Sequence, residues 1–385
     1  MTSLHNVKVI EFCEIAAGPY CGMLLADMGA DVIKVERPSG DAMRTWPPLS
    51  DGYSENFASI NRGKRSVVLD LKDPEGIAQA RRLIQGADVV IENFRPGVMK
   101  RNGLDYATMS QTNPGLVYCS ISAFGQTGPR ATEGGFDLTM QAMSGVMSVT
   151  GEPEGAPVKC GVPLCDFVSG LYGAFGVTSA LIGRAMTGKG QHVDVAMLGA
   201  TLGVSALQTS EFFGTGQAPK KLGSAHPRNA PYQAFKAQDG YFGMAAGNNG
   251  LWHSVCDVVN RPDLKDDATY ANPTLRAKNQ TVLRILLEKI FATKPAAHWL
   301  DAFAKAGVPC SAINTFPEAL EDPQVEHMGW VQPMDLPNGV QTKTFGPVLR
   351  INDQAQTIHR RPPELGEHTD EILSELMAVE TGGTS

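Results

Sequence analysis

Asp166 is the only charged residue between Lys159 and Arg184, set in the run Gly161-Val162-Pro163-Leu164-Cys165-Asp166-Phe167. A desolvated carboxylate among apolar neighbours has the character of a nucleophile. The same residue suits the N-cap of the apolar helix that follows it. The two readings are compatible, because a helix N-terminus favours an ionised carboxylate. Cys165 stands beside it, but no His is placed in sequence to activate a thiol, so it reads as packing.

A second set is basic. Arg37 follows an apolar strand-like run, Arg62, Lys64 and Arg65 cluster in residues 61–66 (NRGKRS), Lys72 follows Asp70-Leu71, and Arg101 follows residues 92–97 (ENFRPG). Loops beyond the carboxyl ends of parallel strands converge on one crevice. Cations gathered there suit a phosphorylated ligand. Solvated surface charge is the ordinary alternative, which pattern alone favours. A third feature is the small-residue run 245–250 (AAGNNG), whose backbone can approach a substrate closely and offer N–H donors to an oxyanion. A simple turn is the more common explanation of such a run.

The elements that must carry these residues follow from hydrophobic patterning. Residues 7–12 (VKVIEF), Asp31–Glu36, 88–92 and 116–121 read as strands, with helices at 18–28 and Pro74–Gln85 between them. Such alternation predicts an α/β protein with a mostly parallel sheet wrapped by helices. The first strand leads into Ala16-Ala17-Gly18-Pro19 without a G-x-G-x-x-G, which argues against a plain NAD(P) enzyme. Residues 167–186 read as a tightly packed helix and 189–197 as a further strand. A polar stretch over 208–229 marks a boundary. Beyond it come a hairpin over 232–244, helices near 251–260, 281–293 and 297–306, a Pro-rich extended stretch at 333–363 and a terminal helix at 369–377.

Composition bounds the rest. The 385 residues are 42% hydrophobic and 19% charged, enough to build a core, and divide at roughly 150 per domain into two or three domains. The net charge of −7 opposes binding to nucleic acid by bulk electrostatics. The polar start, residues 1–6, predicts no signal peptide. The uncharged run 167–183 falls short of about 20 residues and predicts a buried helix, not a membrane span. Seven cysteines without C-x-x-C and eight scattered histidines indicate neither a disulfide framework nor a metal site. A soluble, cytoplasmic, globular protein is expected.

Beyond these patterns, Ala17-Gly18-Pro19 and the runs 25–38 (LADMGADVIKVERP), 61–66, 92–97, 125–129 (GQTGP) and 366–369 (GEHT) occur in one order along the chain. Together they resemble the class III CoA-transferases, the formyl-CoA transferase and carnitine CoA-transferase family. The resemblance implies an interlocked homodimer. Each chain would have a Rossmann-like large domain over 1–207, a linker over 208–229, a smaller α+β domain over 230–325 and a return to the large domain over 326–385. It implies Asp166 as the catalytic residue, with Ile15, Ala16, Arg37, Leu69, Lys72, Asn93, Phe94 and Arg101 matching CoA contacts. At Ala16 a known transferase carries a glutamine. Phe136 and Asp137 match an aromatic–acid pair at the same site, and Gly247, Asn248, Asn249 and Gly250 match a loop that shields the intermediate from water.

The implied chemistry needs no permanently bound cofactor, with acyl-CoA and a free carboxylic acid as substrates. Asp166 attacks a thioester to give a mixed anhydride, and CoA thiolate then converts it to an aspartyl-CoA thioester that an acceptor carboxylate reverses. Alpha-methylacyl-CoA racemases share the superfamily but need a His–Asp pair where this chain has Phe136-Asp137, and Phe136 cannot exchange a proton. A non-catalytic CoA-binding role is the other alternative. Residues 223–226 and 231–236 look most like family members handling short dicarboxylates, with succinyl-CoA as donor. His226, Arg228 or Lys236 would then meet a distal carboxylate.

Overall fold

The computed structural model describes residues 2–382. They fall into two compact units, one formed by 2–146, 159–217 and 323–382, the other by 147–158 and 218–322.

The first unit is built on a six-stranded sheet. Its strands are β1 (Lys8–Phe12), β2 (Asp31–Glu36), β3 (Lys64–Val68), β4 (Val89–Glu92), β5 (Val117–Ser122) and β6 (His192–Ala196). All pairings are parallel, in the spatial order β3-β2-β1-β4-β5-β6. This is the doubly wound order, whose direction reverses between β1 and β4 and opens a crevice beyond their carboxyl ends. The central strands are buried on both faces and are mostly apolar there, apart from the paired charges Glu11 and Lys34. Val9, Val32, Val89, Ile91 and Val117 pack on one side, and Ile10, Ile33, Val67, Val90 and Tyr118 on the other.

Helix α1 (Ala17–Asp27) follows β1, and α2 (Pro74–Gln85) begins at a genuine cap, with the Asp73 side chain accepting from Glu75 N and Pro74 at the first turn. The later helices of this unit include α3 (Asp137–Met143), α4 (Leu164–Thr187) and α5 (Ala206–Thr215). Helix α4 lies against α1 so closely that a Cβ at Gly170 would meet Ala17 O at 2.7 Å, and one at Gly173 would meet Cys21 Sγ at 3.0 Å. Those two glycines let the long helix seat its first turn beside the loop after β1.

Three sequence expectations change. The basic run 61–66 reads as a loop, yet Lys64–Val68 form β3: Lys64 is buried beside Glu11 of β1, so the charge that disguised the strand is cancelled from a strand two places away in the sheet. Helix α4 is buried along one face, at Cys165, Val168, Ser169, Gly170, Gly173, Val177 and Ala180, while Leu171, Phe175, Ile182 and Met186 are exposed. It is long and apolar enough to cross a membrane by length and composition. Part of the polar stretch 208–229 is helical, as α5.

The C-terminal segment belongs to the first unit. His368 N donates to Ser66 O, Val68 N donates to Thr369 Oγ1, and Arg65 pairs with Glu371 and Glu375 of the terminal helix Thr369–Gly382. The segment thereby covers the edge strand β3.

The second unit has a three-stranded antiparallel sheet made of Tyr232–Lys236, Tyr241–Ala245 and Cys310–Ala312. Helices Asn249–Val258, Gln280–Phe291 and Ala296–Lys305 supply much of its core, in which Phe235, Phe242, Phe291, Trp299 and Phe303 meet mostly edge to face or tilted, with Phe242 and Phe303 stacked.

Candidate active site

A cavity of about 520 Å³ opens at the reversal point of the sheet. Its walls are the loop after β1 (Glu14, Ile15, Ala16), the loop after β4 (Asn93, Phe94, Arg95, Pro96), the end of β5, and residues 133–136. Asp166 lies among its lining residues.

Asp166 does not cap its helix. Pro163 holds that position, and Asp166 sits in the first turn. The N–H of Cys165 that a cap would serve is taken instead by Asp137 Oδ1 at 2.9 Å, and Asp137 Oδ2 accepts from Gln141 Nε2 at 2.8 Å. The division of labour is clear. Asp137, at the start of α3, supplies the structural acceptor for α4, and Asp166 keeps its carboxylate without a hydrogen bond or ion pair among the described residues. Desolvation, aided by the negative charge of Asp137, pushes the Asp166 carboxyl up to about 7. At neutral pH the group is therefore poised between acid and nucleophilic carboxylate. The neighbouring Cys165 is fully buried, and burial pushes its thiol up to about 11, consistent with a packing role.

The loop after β1 is fixed by groups from three directions. Asn93 spends both ends of its amide on Glu14, accepting from the backbone N at 3.0 Å and donating to the backbone O at 2.8 Å. Asp41 accepts from Ile15 N. Lys34 Nζ donates to Cys13 O at 2.7 Å. Across the cavity, Phe94 N donates to Glu92 Oε2 at 3.0 Å, and burial raises the Glu92 carboxyl to about 7.

Of the residues singled out in sequence, the structure brings Ile15, Ala16, Asn93, Phe94, Phe136 and Asp166 to this cavity. Arg37 lies at the carboxyl end of β2, 3.5 Å from Glu14 of the cavity wall. Leu69, Lys72 and Arg101 follow β3 and β4 at the same edge of the sheet without lining the cavity. The Leu69 side chain is in the core beneath. The cluster Arg62, Lys64 and Arg65 does not reach the crevice: Arg62 pairs with Asp27, Lys64 with Glu11, and Arg65 with Asp31, Glu371 and Glu375. Their charges serve the fold.

Gly247, Asn248, Asn249 and Gly250 belong to the second unit, where they form a helix start, Asn248 Oδ1 accepting from Leu251 N at 2.8 Å. The buried Arg276 anchors this turn through Asn249 Oδ1 and Ala230 O. His226 and Lys236 also belong to that unit. His226 Nδ1 accepts from Arg228 N and Asn229 N, which commits it to a turn.

Sequence reasoning passed over Arg95. It is the basic residue among the cavity lining, and its guanidinium makes no ion pair among the described residues. It lies over Gly134, where a Cβ would meet Nη2 at 2.9 Å. The available signal was its position two residues beyond Asn93, in the loop at the sheet's reversal point.

A doubly wound sheet with a free, partly desolvated carboxylate at its reversal point is an arrangement in which a carboxylate can serve as a nucleophile in group transfer. The chain belongs to CoA-transferase family III, which matches residues 4–369. It is 40% identical to succinate–glutarate CoA-transferase of Agrobacterium fabrum, over 99% of this chain and 97% of the relative. It is 42% identical to acetyl-CoA:oxalate CoA-transferase of Acetobacter aceti, over 83% and 82%. Among solved structures, a CAIB/BAIF family protein from Brucella suis superposes with a TM-score of 0.86 at 42% identity, covering 97% of this chain and 99% of that one.

Proposed function

We propose that this CoA-transferase moves CoA from succinyl-CoA to a short dicarboxylic acid through covalent intermediates on Asp166, working as a cytoplasmic homodimer. The observation that carries the chemistry is the free Asp166 carboxylate on the cavity wall, raised to about 7.

The ionised Asp166 oxygen attacks the thioester carbonyl. The C–S bond breaks, leaving a mixed anhydride and CoA thiolate. The thiolate attacks the aspartyl carbonyl and expels the donor carboxylate, so that CoA is held as an aspartyl thioester. An acceptor carboxylate attacks that thioester, and the released thiolate then takes the acceptor acyl group. Asp166 returns to its ionised form. Bond energy is retained throughout, so no nucleotide is consumed. Exclusion of water preserves the anhydride.

Phe136 at the cavity has no exchangeable proton, which favours transfer over proton exchange at an α-carbon. The dicarboxylate reading draws on the similarity to succinate–glutarate CoA-transferase and on Arg95, which supplies a positive charge for an anionic part of the substrates. Incubation with succinyl-CoA in D₂O, followed by hydroxylamine or borohydride trapping and mass spectrometry, tests the route. An adduct at Asp166 without α-deuterium in the acyl-CoA is expected. α-Deuteration without an adduct would sink it. A clear preference for monocarboxylate acceptors would overturn the substrate assignment.

A further inference from the structure

The loop between β1 and α1 has its backbone held by side chains remote in sequence, and the most demanding hold is at Ile15. This residue has φ 67, in the left-handed region. A β-branched side chain there is a genuine outlier and persists only where its surroundings over-determine it. The determining contact is Asp41, whose two carboxylate oxygens lie 3.2 and 3.3 Å from Ile15 N. Asp41 is itself fixed. Its Oδ1 accepts from Met43 N at 3.0 Å, and its Oδ2 lies 3.0 Å from Lys34 Nζ, with both side chains fully buried. Burial opposes a charged Lys34, but Asp41, Glu11 and Glu36 outweigh it and keep the ammonium protonated.

A buried ion pair is weak evidence for stability in its own right, since desolvation offsets much of the attraction. Here the pair is attached to the cavity wall. Ile15 and its neighbours Glu14 and Ala16 line the same cavity as Asp166, so a change at Asp41 is transmitted to the binding surface without Asp41 touching it.

We propose that Asp41, fixed by Lys34, is a positioning residue for acyl-CoA: through the Ile15 N–H it holds the loop 14–16 in its left-handed turn, so the wall of the cavity is set before the ligand arrives. The proposal rests on reading the cavity as the acyl-CoA site. It separates affinity from stability, because a preset loop spares the ligand the cost of ordering it.

The test is calorimetric titration of the full-length protein with CoA, alongside thermal unfolding, for the native protein, Ile15→Gly, Asp41→Asn and the double variant. Native protein that fails to bind CoA would defeat the cavity assignment itself, independently of Asp41. Given native binding, Asp41→Asn is expected to weaken CoA by about tenfold. Ile15→Gly removes a side chain of the cavity wall and therefore sets its own reference affinity. In that background Asp41→Asn should change the affinity by less than about twofold, since glycine takes the left-handed turn without being held, while the double variant's unfolding temperature stays as low as that of Asp41→Asn. Native affinity in Asp41→Asn, or the same tenfold loss from Asp41→Asn in the Ile15→Gly background, would overturn the proposal. If Asp41→Asn does not fold, Asp41→Glu keeps the charge beside Lys34 and displaces the carboxylate from Ile15. The same loss in the native background and its absence in the Ile15→Gly background are expected, and any other pattern overturns the proposal equally.

Discussion

Asp166 and Asp137 are two carboxylates with opposite fates. Asp137 is spent on Cys165 N and Gln141, whereas Asp166 is left free with its carboxyl at about 7. Attack requires the ionised form, so single-turnover formation of the Asp166 adduct from succinyl-CoA should rise with pH along a limb centred near 7. Asp137→Asn retains an oxygen for Cys165 N and removes the like charge, which should move that limb to lower pH. An unmoved limb would leave desolvation as the sole cause. Stability carries the same signature with a defined sign. A carboxyl whose pKa is raised on folding favours the folded state most at pH below its unfolded value, and that contribution is lost as pH rises toward the folded value. Asp166→Asn should therefore form no adduct at any pH. It should also gain unfolding temperature relative to the native protein as pH increases from 4 to 8. A difference that does not vary with pH would contradict the raised pKa.

At the scale of elements, the same chemistry depends on charges hidden inside the sheet. Glu11 of β1 receives Lys34 of β2 at 3.3 Å and Lys64 of β3 at 2.8 Å, all three fully buried. Removing one member leaves an uncompensated charge, so Glu11→Gln should cost about 3 to 5 kcal/mol of stability by denaturant titration. A loss under about 1 kcal/mol would mean that the lysines are neutral or reached by water. This cluster also explains what the sequence could and could not reveal. Strand Asp31–Glu36 and helix Pro74–Gln85 were legible to the residue, because their apolar spacing and the Asp73-Pro74 start are local signals. Strand β3 was not, since Lys64 and Arg65 look solvent-bound until β1 and the terminal helix supply their partners. The candidate site divides the same way. Asp166 stood out as a lone charge in an apolar run, but the capping role passed to Asp137, 28 residues before the Cys165 N–H it accepts from and visible only once α3 and α4 meet. Asp41 gave no local sign at all, because its bond to Ile15 joins the ends of two different strands.

For the whole molecule, the exposed face of α4 is the feature least compatible with a solitary chain. Leu171, Phe175, Ile182 and Met186 recur at helical spacing along it, with Phe175 70% and Met186 78% exposed. Leu207, Phe212 and Phe213 of α5 add further exposed apolar surface, Phe213 at 81%. Scattered surface apolar residues need no explanation, but a stripe along a helix this long is what an interface leaves bare. A second copy of the chain is the partner we expect to cover it. A stable interface of this kind buries roughly 1,600 Å² in total, and it would resemble a core divided between two chains. Light scattering at micromolar concentration should thus report twice the mass of one chain, and Phe175→Asp should yield monomer or aggregate with CoA transfer reduced at least about tenfold. Since Phe175 lies more than two turns beyond Asp166 on the same helix, loss of the partner should also loosen the helix that carries the proposed nucleophile. Fully active monomer, in the native protein or in Phe175→Asp, would show that the stripe serves some other surface and that the site is complete within one chain.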